Sequence, residues 1–193
     1  MNFFFPGEVI YVDSTNLLYN DNMFIDWINE EVDPRYLNIY CRFAPFIISA
    51  CGSAFLPGSG NMITLNCMDE KTIMHEIGHA FGLLHTFAGT NSLTDELVDG
   101  SNCEDSGDLV CDTPADPYPI GDFDGCSYTD NVLTDVNGDL FAPQMDNIMS
   151  YYNCEPSYFT PGQVERMKQL AVQDRFYYTT VDSASIQLIP HVE

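Results

Sequence analysis

Three of the four histidines in this chain lie within eleven residues, HEIGHAFGLLH (75–85). On a helix, residues four apart lie on one face about one turn from each other, so His75 and His79 can direct ring nitrogens at one ion. A third ligand must approach from another direction, and Gly82 permits the chain to leave the helix so that His85 can reach the metal. The spacing therefore predicts a zinc ion held by three imidazoles.

A glutamate beside the first ligand makes a reaction possible at this predicted site. Three neutral imidazoles leave a fourth position open for water, and an open position distinguishes a catalytic zinc site from a structural one. Glu76 can accept a proton from that water, whose pKa the zinc lowers, and can later pass it to a leaving amine. The alternative, histidines on a polar helix face with a metal bound by accident, explains neither Glu76 nor the two glycines of the segment. No fourth protein ligand is evident, since we expect His191 to be a surface residue near the chain end.

The segments around the motif predict an α+β fold, with a twisted mixed β-sheet backed by helices. Strand-like runs lie at 8–12, 37–41, 46–49 and 62–65, a turn at 56–61, and helical stretches at 21–31, 69–84 and 160–177. Asp69 can cap the helix that carries His75 and His79. Thr160 and Pro161 can open the C-terminal helix.

Composition favours a single catalytic domain, 1–193, made of two lobes. The N-terminal lobe, about 1–85, holds the predicted sheet and the motif helix. The C-terminal lobe, about 86–193, is expected to be irregular and to end in a helix, because 86–147 is rich in Asp, Gly, Pro, Asn and Thr and has few apolar runs. Such a stretch needs cross-links or bound ions to hold one shape.

The seven cysteines form no CxxC pair, which argues against a zinc knuckle or a redox motif. Disulfides in an exported protein fit this usage best. Cys51 and Cys67 flank a glycine-rich, hairpin-like stretch and could reach each other. Because seven is odd, at least one thiol is unpaired within the chain, and Cys41 is the candidate.

A net charge of −23, from six basic and 29 acidic side chains, argues against nucleic acid and anionic membranes as partners. Cationic peptides or divalent cations fit this field better, although an acidic surface could equally serve solubility alone. No apolar run approaches the roughly 20 residues of a membrane span. The first residues, MNFFFPGEV, contain no basic leader, so we expect any export signal to have been removed or left out.

The extended HExxHxxGxxH pattern resembles that of the metzincins, which also place a methionine-containing turn beneath the zinc. The segment NIMSYYNC (147–154) has the form of this Met-turn, with Met149 as the apolar floor; the alternative for Met149 is ordinary core packing. In several metzincin families a tyrosine two residues after the methionine steadies the oxyanion of the tetrahedral intermediate. The resemblance assigns this role to Tyr151, with the adjacent Tyr152 as the alternative.

A closer resemblance, over roughly residues 37–170, is to the pappalysin family, including its ulilysin-like and cytophagalysin-like members. It is carried by GDLVCDTPADP (107–117), the Met-turn segment and FTPGQVERM (159–167). The resemblance implies a zincin-type fold and an endopeptidase that hydrolyses protein or peptide substrates with one catalytic zinc. We expect the protein to be secreted and monomeric. It also implies the disulfides Cys126–Cys154 and Cys103–Cys111.

The resemblance further implies a structural calcium ion in the loop after the zinc motif. The matching positions are Asp108 and the backbone carbonyls of Cys111 and Thr113. Calcium takes six to eight oxygen ligands, and this loop is rich in carboxylates; the alternative is a solvated acidic loop. The segment DVNGD (135–139) lacks the closing glutamate of an EF-hand and is expected to be an Asn-Gly turn.

Two other functions compete with the peptidase hypothesis. One is a calcium-stabilised extracellular binding or matrix module with a structural zinc, which would require the loss of Glu76 or a fourth protein ligand. The other is a different metal-assisted hydrolase on the same scaffold. Ulilysin-like members use an acid between the tyrosine and the cysteine after the Met-turn to prefer a basic residue after the cleaved bond. Here that stretch is only Tyr152-Asn153, so the resemblance does not carry this preference over.

Overall fold

The structure, a computed structural model, describes residues 12–32, 36–42, 51–57, 59–89, 96–120, 122–124, 126–152 and 154–173. The helices are α1 (Thr15–Tyr19), α2 (Asp21–Glu31), α3 (Glu70–Ala80) and α4 (Pro161–Gln173). The strands are β1 (Asn38–Cys41), β2 (Gly52–Ala54), β3 (Met62–Leu65), β4 (Phe123–Asp124) and β5 (Ser127–Tyr128). Five sequence predictions lie wholly or partly outside the described residues: the strand at 46–49, positions 8–11 of the first strand, position 58 of the turn at 56–61, positions 174–177 of the last helix, and the surface residue His191.

The first three strands form one sheet in the order β1-β3-β2. Strand β1 runs parallel to β3, with Tyr40 opposite Thr64, and β2 runs antiparallel to β3, with Ser53 opposite Thr64. The prediction of a mixed sheet is therefore confirmed, and β3 has the predicted bounds, 62–65. Strand β2 is not among the predicted strands, yet it is the strand that lies beside the zinc motif.

Two helices cover the sheet with apolar side chains at helical spacing. Ile28 of α2 packs on Met62, and Ile73 and Ile77 of α3 pack on Leu65. Burying an aliphatic side chain of this size contributes about 1.5–3 kcal/mol. These contacts fix the rotation of α3, and therefore the face on which the motif side chains lie.

Helix α3 ends four residues before its predicted end, so that part of the prediction is wrong. Gly82 adopts a φ of +86°, which reverses the chain direction. The Leu83 amide donates to the Gly78 carbonyl at 2.9 Å, and the Gly82 amide donates to the His79 carbonyl at 2.9 Å. This pair of bonds is a Schellman cap, and it satisfies carbonyls that a continuing helix would have used. The early end turns the chain toward the third histidine.

The predicted helix starts are confirmed. The Asp69 carboxylate accepts from the Thr72 amide at 2.9 Å, and the Thr160 hydroxyl oxygen accepts from the Gln163 amide at 3.1 Å. Pro161 is the first residue of α4, where its missing N–H leaves no hydrogen bond unmade. Both helices therefore begin at residues whose side chains or ring favour a start.

The described residues between α3 and α4 are mostly irregular, and two disulfides cross-link them. The structure contains the disulfides Cys51–Cys67, Cys103–Cys111 and Cys126–Cys154, which are the expected pairs. Cys41 is free and exposed. Residues 135–139 form the expected turn, in which the Gly138 amide donates to the Asp135 carbonyl at 3.1 Å. Among the described residues, no helix is long and apolar enough to cross a membrane.

Candidate active site

The three histidines of the motif converge on one point. The Nε2 atom of His79 lies 3.1 Å from the Nε2 atoms of both His75 and His85, and the latter two are 3.2 Å apart. Three ligands about 2.0–2.1 Å from a tetrahedral zinc would be roughly 3.3–3.4 Å from one another. The donor set and its spacing therefore fit a zinc ion.

Hydrogen bonds on the far side of two rings orient them for metal binding. The Nδ1 atom of His75 lies 2.8 Å from the Ile148 carbonyl oxygen, and Nδ1 of His79 lies 2.8 Å from the Leu83 carbonyl oxygen. Because a carbonyl only accepts, each Nδ1 carries the proton and donates it, which leaves the Nε2 lone pair facing the common point. The Schellman cap of α3 thus also supplies the partner of the second ligand.

Burial keeps the three imidazoles neutral. It lowers the pKa of His75 to about 4, and it lowers the pKa of His85 to about 3, with a further contribution from the neighbouring His79 and His75. Burial also lowers the pKa of His79. Near neutral pH no proton competes for these nitrogens, as a metal site requires.

Glu76 is a buried carboxylate without a partner for one of its oxygens. Its side chain is 6% exposed, and Oε2 has no hydrogen-bond partner within the described part of the chain. Burial raises the pKa of Glu76 to about 7. A Cβ atom on Gly52 of β2 would lie 2.6 Å from both Cγ and Oε1 of Glu76, so the bare backbone of this strand lines the space that Glu76 occupies.

Met149 is fully buried beneath the motif helix. It packs with Leu83 and Ile148. A Cβ atom added to Gly78 would lie 2.5 Å from the Sδ atom of Met149, so a larger residue at position 78 would require Met149 to shift. The Thr86 amide donates to the Met149 carbonyl at 3.3 Å. Met149 therefore lies in the core beneath the motif helix, a position that is compatible with both sequence interpretations, the floor of the site and core packing.

The two adjacent tyrosines, which the sequence left as alternatives for the oxyanion role, lie in different surroundings. The Tyr151 ring centroid lies 4.7 Å from that of His85 and 5.7 Å from that of His75, and 51% of the residue is exposed. Tyr152 is 5% exposed and donates its hydroxyl to Oδ1 of Asp116 at 2.7 Å. Only Tyr151 of the pair therefore lies beside the histidines with an accessible side chain.

A buried amide pair that the sequence analysis missed ties the Met-turn to α4. Asn147 and Gln163 are both 0% exposed, and each side-chain amide donates to the other's oxygen at 3.1 Å. Oδ1 of Asn147 also accepts from the Met149 amide at 2.8 Å, and Oε1 of Gln163 accepts from the Thr160 amide at 2.9 Å. The signal in the sequence was weak, since a glutamine in the first turn of a helix suggests only local capping.

We expect Gln163→Leu to destabilise the protein by about 1–3 kcal/mol, because it removes the acceptor of the buried Thr160 amide and two hydrogen bonds of the Asn147 side chain. Urea denaturation at saturating zinc measures this free energy of unfolding. Gln169→Leu, an exposed change on the same helix, is the matched control and should stay within about 0.5 kcal/mol of the wild type. Equal stability of the two variants would contradict the structural role of the amide pair.

Two of the three residues predicted to bind calcium, Asp108 and Thr113, are buried, whereas Cys111 is exposed. Asp108 is 1% exposed, and its carboxylate accepts from the Thr113 hydroxyl at 2.8 and 2.9 Å and from the Val110 amide at 3.0 Å. Burial, followed by the charges of Asp108 and Asp116, raises the pKa of Glu96 to about 8. Burial likewise raises the pKa of Asp108 to about 6.

Asp112, which lies between Cys111 and Thr113 in the sequence, contacts the start of α4. Its Oδ1 accepts from the Thr160 hydroxyl at 2.6 Å, and its Oδ2 accepts from the Gly162 amide at 2.8 Å. A carboxylate at this position satisfies a free amide at the start of α4 and interacts favourably with the helix dipole. Asp112 therefore anchors α4 to the loop.

Comparison with known proteins agrees with this geometry. A peptidase family model described as pregnancy-associated plasma protein-A matches residues 19–172. An extracellular metalloprotease of Arthroderma benhamiae is 33% identical over 110 residues, which cover 57% of this chain and 32% of that protein. An extracellular metalloprotease of Colletotrichum graminicola is 32% identical over 142 residues, covering 66% of this chain and 42% of the relative. Pappalysin-1 of Mus musculus is 38% identical over 101 residues, covering 50% of this chain and 6% of the relative.

The matched part of this chain thus spans less than half the length of each of these three relatives. The family match itself covers more than half of the chain and includes the three histidines, Met149 and Tyr151. Metallopeptidases of this kind require a metal, and the convergent histidines supply donors suited to zinc. The chain belongs to the pappalysin family of metallopeptidases.

Proposed function

We propose that this chain is the catalytic domain of a zinc-dependent endopeptidase. His75, His79 and His85 hold the zinc, Glu76 is the general base, and Tyr151 stabilises the oxyanion. The proposal is carried by one observation: three imidazoles direct their Nε2 atoms at a common point, and the residue that follows the first of them, Glu76, is a buried carboxylate. We also propose that one catalytic domain covers 1–193, with its cleft between the two lobes.

The groups at the proposed zinc site have different roles in peptide hydrolysis. Bound zinc supplies a Lewis acid, which polarises the scissile carbonyl and lowers the pKa of a water molecule. The Glu76 carboxylate takes a proton from the attacking water, holds it at Oε2, and delivers it to the leaving amine nitrogen. The Tyr151 hydroxyl donates a hydrogen bond to the oxygen on which negative charge develops. The neutral Glu76 carboxyl requires no ion-pair partner, which suits its buried position.

The substrates that we propose are proteins or peptides met outside the cell, by a monomeric secreted enzyme. The fungal relatives are named as extracellular metalloproteases, and the three disulfides suit an oxidising compartment. A net charge of −23 attracts cationic peptides over a distance of about 10 Å at moderate salt.

The test is digestion of a diverse peptide library by the zinc-loaded protein, with the products identified by mass spectrometry. We expect cleavage at internal peptide bonds, and none after zinc is removed with a chelator. Zinc-loaded protein that binds peptides without cutting them would favour the binding-module alternative. Release of single terminal residues would contradict the endopeptidase assignment.

Gly52→Ala should lower kcat by about 10–100-fold, because a methyl group there would push the Glu76 carboxylate away from its place. The zinc content should not change, since no ligand moves. Ser53→Ala, one residue along β2 and exposed, is the matched control. A Gly52→Ala enzyme with the kcat of the wild type would show that the close approach of β2 does not position Glu76.

We propose in addition a structural calcium ion at Asp108 and the carbonyls of Cys111 and Thr113. The support is the buried carboxylates of Glu96 and Asp108. Oε2 of Glu96 has no hydrogen-bond partner in the described residues, and burial, followed by the charges of Asp108 and Asp116, raises the pKa of Glu96. A cation with several oxygen ligands would offset the repulsion among these carboxylates.

Without calcium, stability should fall as the pH rises. The pKa values of Glu96 and Asp108 lie above their unfolded values, so the folded state binds more protons between about pH 4 and pH 8 and loses this advantage as they dissociate. Thermal unfolding at saturating zinc should therefore give a lower Tm at about pH 8 than at about pH 5. Calcium should raise the Tm more at the higher pH. Glu96→Gln should flatten the pH dependence, and a calcium effect equal at both pH values would contradict the proposal.

A further inference from the structure

Asp116 is a buried carboxylate that lies outside the proposed zinc ligands and connects several parts of the site. The side chain is 4% exposed. Its Oδ2 accepts from the Thr86 hydroxyl at 2.6 Å, and its Oδ1 accepts from the Tyr152 hydroxyl at 2.7 Å and from the Tyr118 amide at 3.0 Å. The two hydroxyl donors are 30 and 36 residues away in sequence, so this carboxylate joins segments that no local element connects.

Each of these donors is next to a residue of the proposed mechanism. Thr86 directly follows His85, and Tyr152 directly follows Tyr151. Thr86 and Tyr152 are 3% and 5% exposed, so solvent cannot easily replace Asp116 as their acceptor. Consecutive Cα atoms are about 3.8 Å apart, and a shift of either donor therefore moves its neighbour.

Tyr151 depends on such support because half of its surface faces solvent. It is 51% exposed, and its ring centroid lies 4.7 Å from that of His85, 4.9 Å from that of Phe87 and 5.8 Å from that of Tyr118. The backbone amide of Tyr118 donates to Asp116, so Asp116 also helps to position the residue whose ring packs on Tyr151. The backbone of Tyr151 is thus fixed by its neighbour Tyr152, which is buried and donates its hydroxyl to Asp116.

We propose that Asp116 is a positioning residue with two separate arms. Its Oδ2 arm, through Thr86, holds His85 in place for zinc. Its Oδ1 arm, through Tyr152, holds Tyr151 in place for the oxyanion. The proposal rests on the proposed function, and it assigns the two arms to different measurable quantities, zinc affinity and kcat.

Deleting one hydroxyl at a time separates the arms. Thr86→Val should weaken zinc binding by about 10-fold or more, as removal of a group that orients a ligand does, and should leave the kcat of the zinc-saturated enzyme near that of the wild type. Tyr152→Phe should leave the zinc affinity unchanged and lower kcat by about 10-fold, with KM little altered. Asp116→Asn should impair one of the two arms, because the amide keeps a single acceptor oxygen. Zinc affinity is measured by competition with a chromophoric chelator, which requires no substrate.

Tyr128→Phe is the matched control for Tyr152→Phe. Tyr128 packs in the same cluster as Tyr152, and its hydroxyl has no hydrogen-bond partner among the described residues. Removing this hydroxyl should change neither zinc affinity nor kcat. If Asp116→Asn does not fold, the single-hydroxyl variants decide the question.

A double-mutant cycle tests whether Tyr152 acts through Tyr151. In a Tyr151→Phe background, adding Tyr152→Phe should lower kcat little further, because the group that it positions is gone. An equal fall in both backgrounds would overturn the Tyr152 arm. An unchanged zinc affinity in Thr86→Val would overturn the Thr86 arm. Failure of the wild type to cleave any peptide would refute the proposed function and, with it, the Tyr152 arm. The zinc affinity of Thr86→Val would still test the Thr86 arm.

Discussion

Replacing Glu76 with glutamine should lower kcat by about 10²–10⁴-fold, the usual contribution of a general base, while the protein keeps its zinc. Glutamine has the same shape and fits the space beside Gly52, but its amide cannot accept a proton from water. The loss should appear in kcat and in kcat/KM alike, because the missing proton transfer belongs to the transition state. Single-turnover cleavage of a peptide identified in the library gives the rate of the chemical step.

Glu70→Gln is the matched control for this variant. Glu70 lies on the same helix, in its first turn, and is exposed. It should cleave as the wild type does. A Glu76→Gln enzyme that retains zinc and more than a tenth of the wild-type kcat would remove Glu76 from the role of base.

His79→Ala should weaken zinc binding on the order of 10²–10⁴-fold, since a zinc binding free energy of about 10–16 kcal/mol is shared among three or four ligands. We choose His79 for this test because its Nε2 atom is 3.1 Å from the Nε2 atoms of both His75 and His85. Its Nδ1 atom is also held by a hydrogen bond to the Leu83 carbonyl. Cleavage at limiting zinc should disappear. Chelator competition measures the affinity, and metal analysis after dialysis measures the retained zinc.

His191→Ala removes the one histidine outside the motif and is the control for a general loss of imidazole. Its zinc affinity should match that of the wild type. If His79→Ala bound zinc as tightly as His191→Ala, the zinc would have to lie elsewhere, and the assignment of the three ligands would fail.

The motif could be predicted from the sequence because its chemistry is encoded in local spacing. His75 and His79 lie four residues apart, which places them on one face of any α-helix. Asp69 caps this helix by accepting from the amide of Thr72, three residues later. The glycine needed to turn toward His85 was visible too. Its effect on the length of the helix was not, because the Schellman cap depends on the backbone angle that Gly82 adopts.

The parts that sequence could not supply depend on contacts between distant segments. Strand β2, Gly-Ser-Ala, has no alternation of apolar and polar residues, and it pairs as a strand only because β3 lies beside it. Asp116 meets Tyr152 across 36 residues. Tyr151 and Tyr152 are the same residue type in adjacent positions, so only the burial of one of them separates their roles.

Titration of metal-depleted protein with zinc, followed by peptide cleavage, tests the central claim most directly. The account predicts that activity is absent without metal, rises in proportion to added zinc, and stops rising at one zinc per chain. Cleavage that persists in the metal-free protein, or a chain that binds one zinc at the three histidines and never cleaves a peptide, would contradict it.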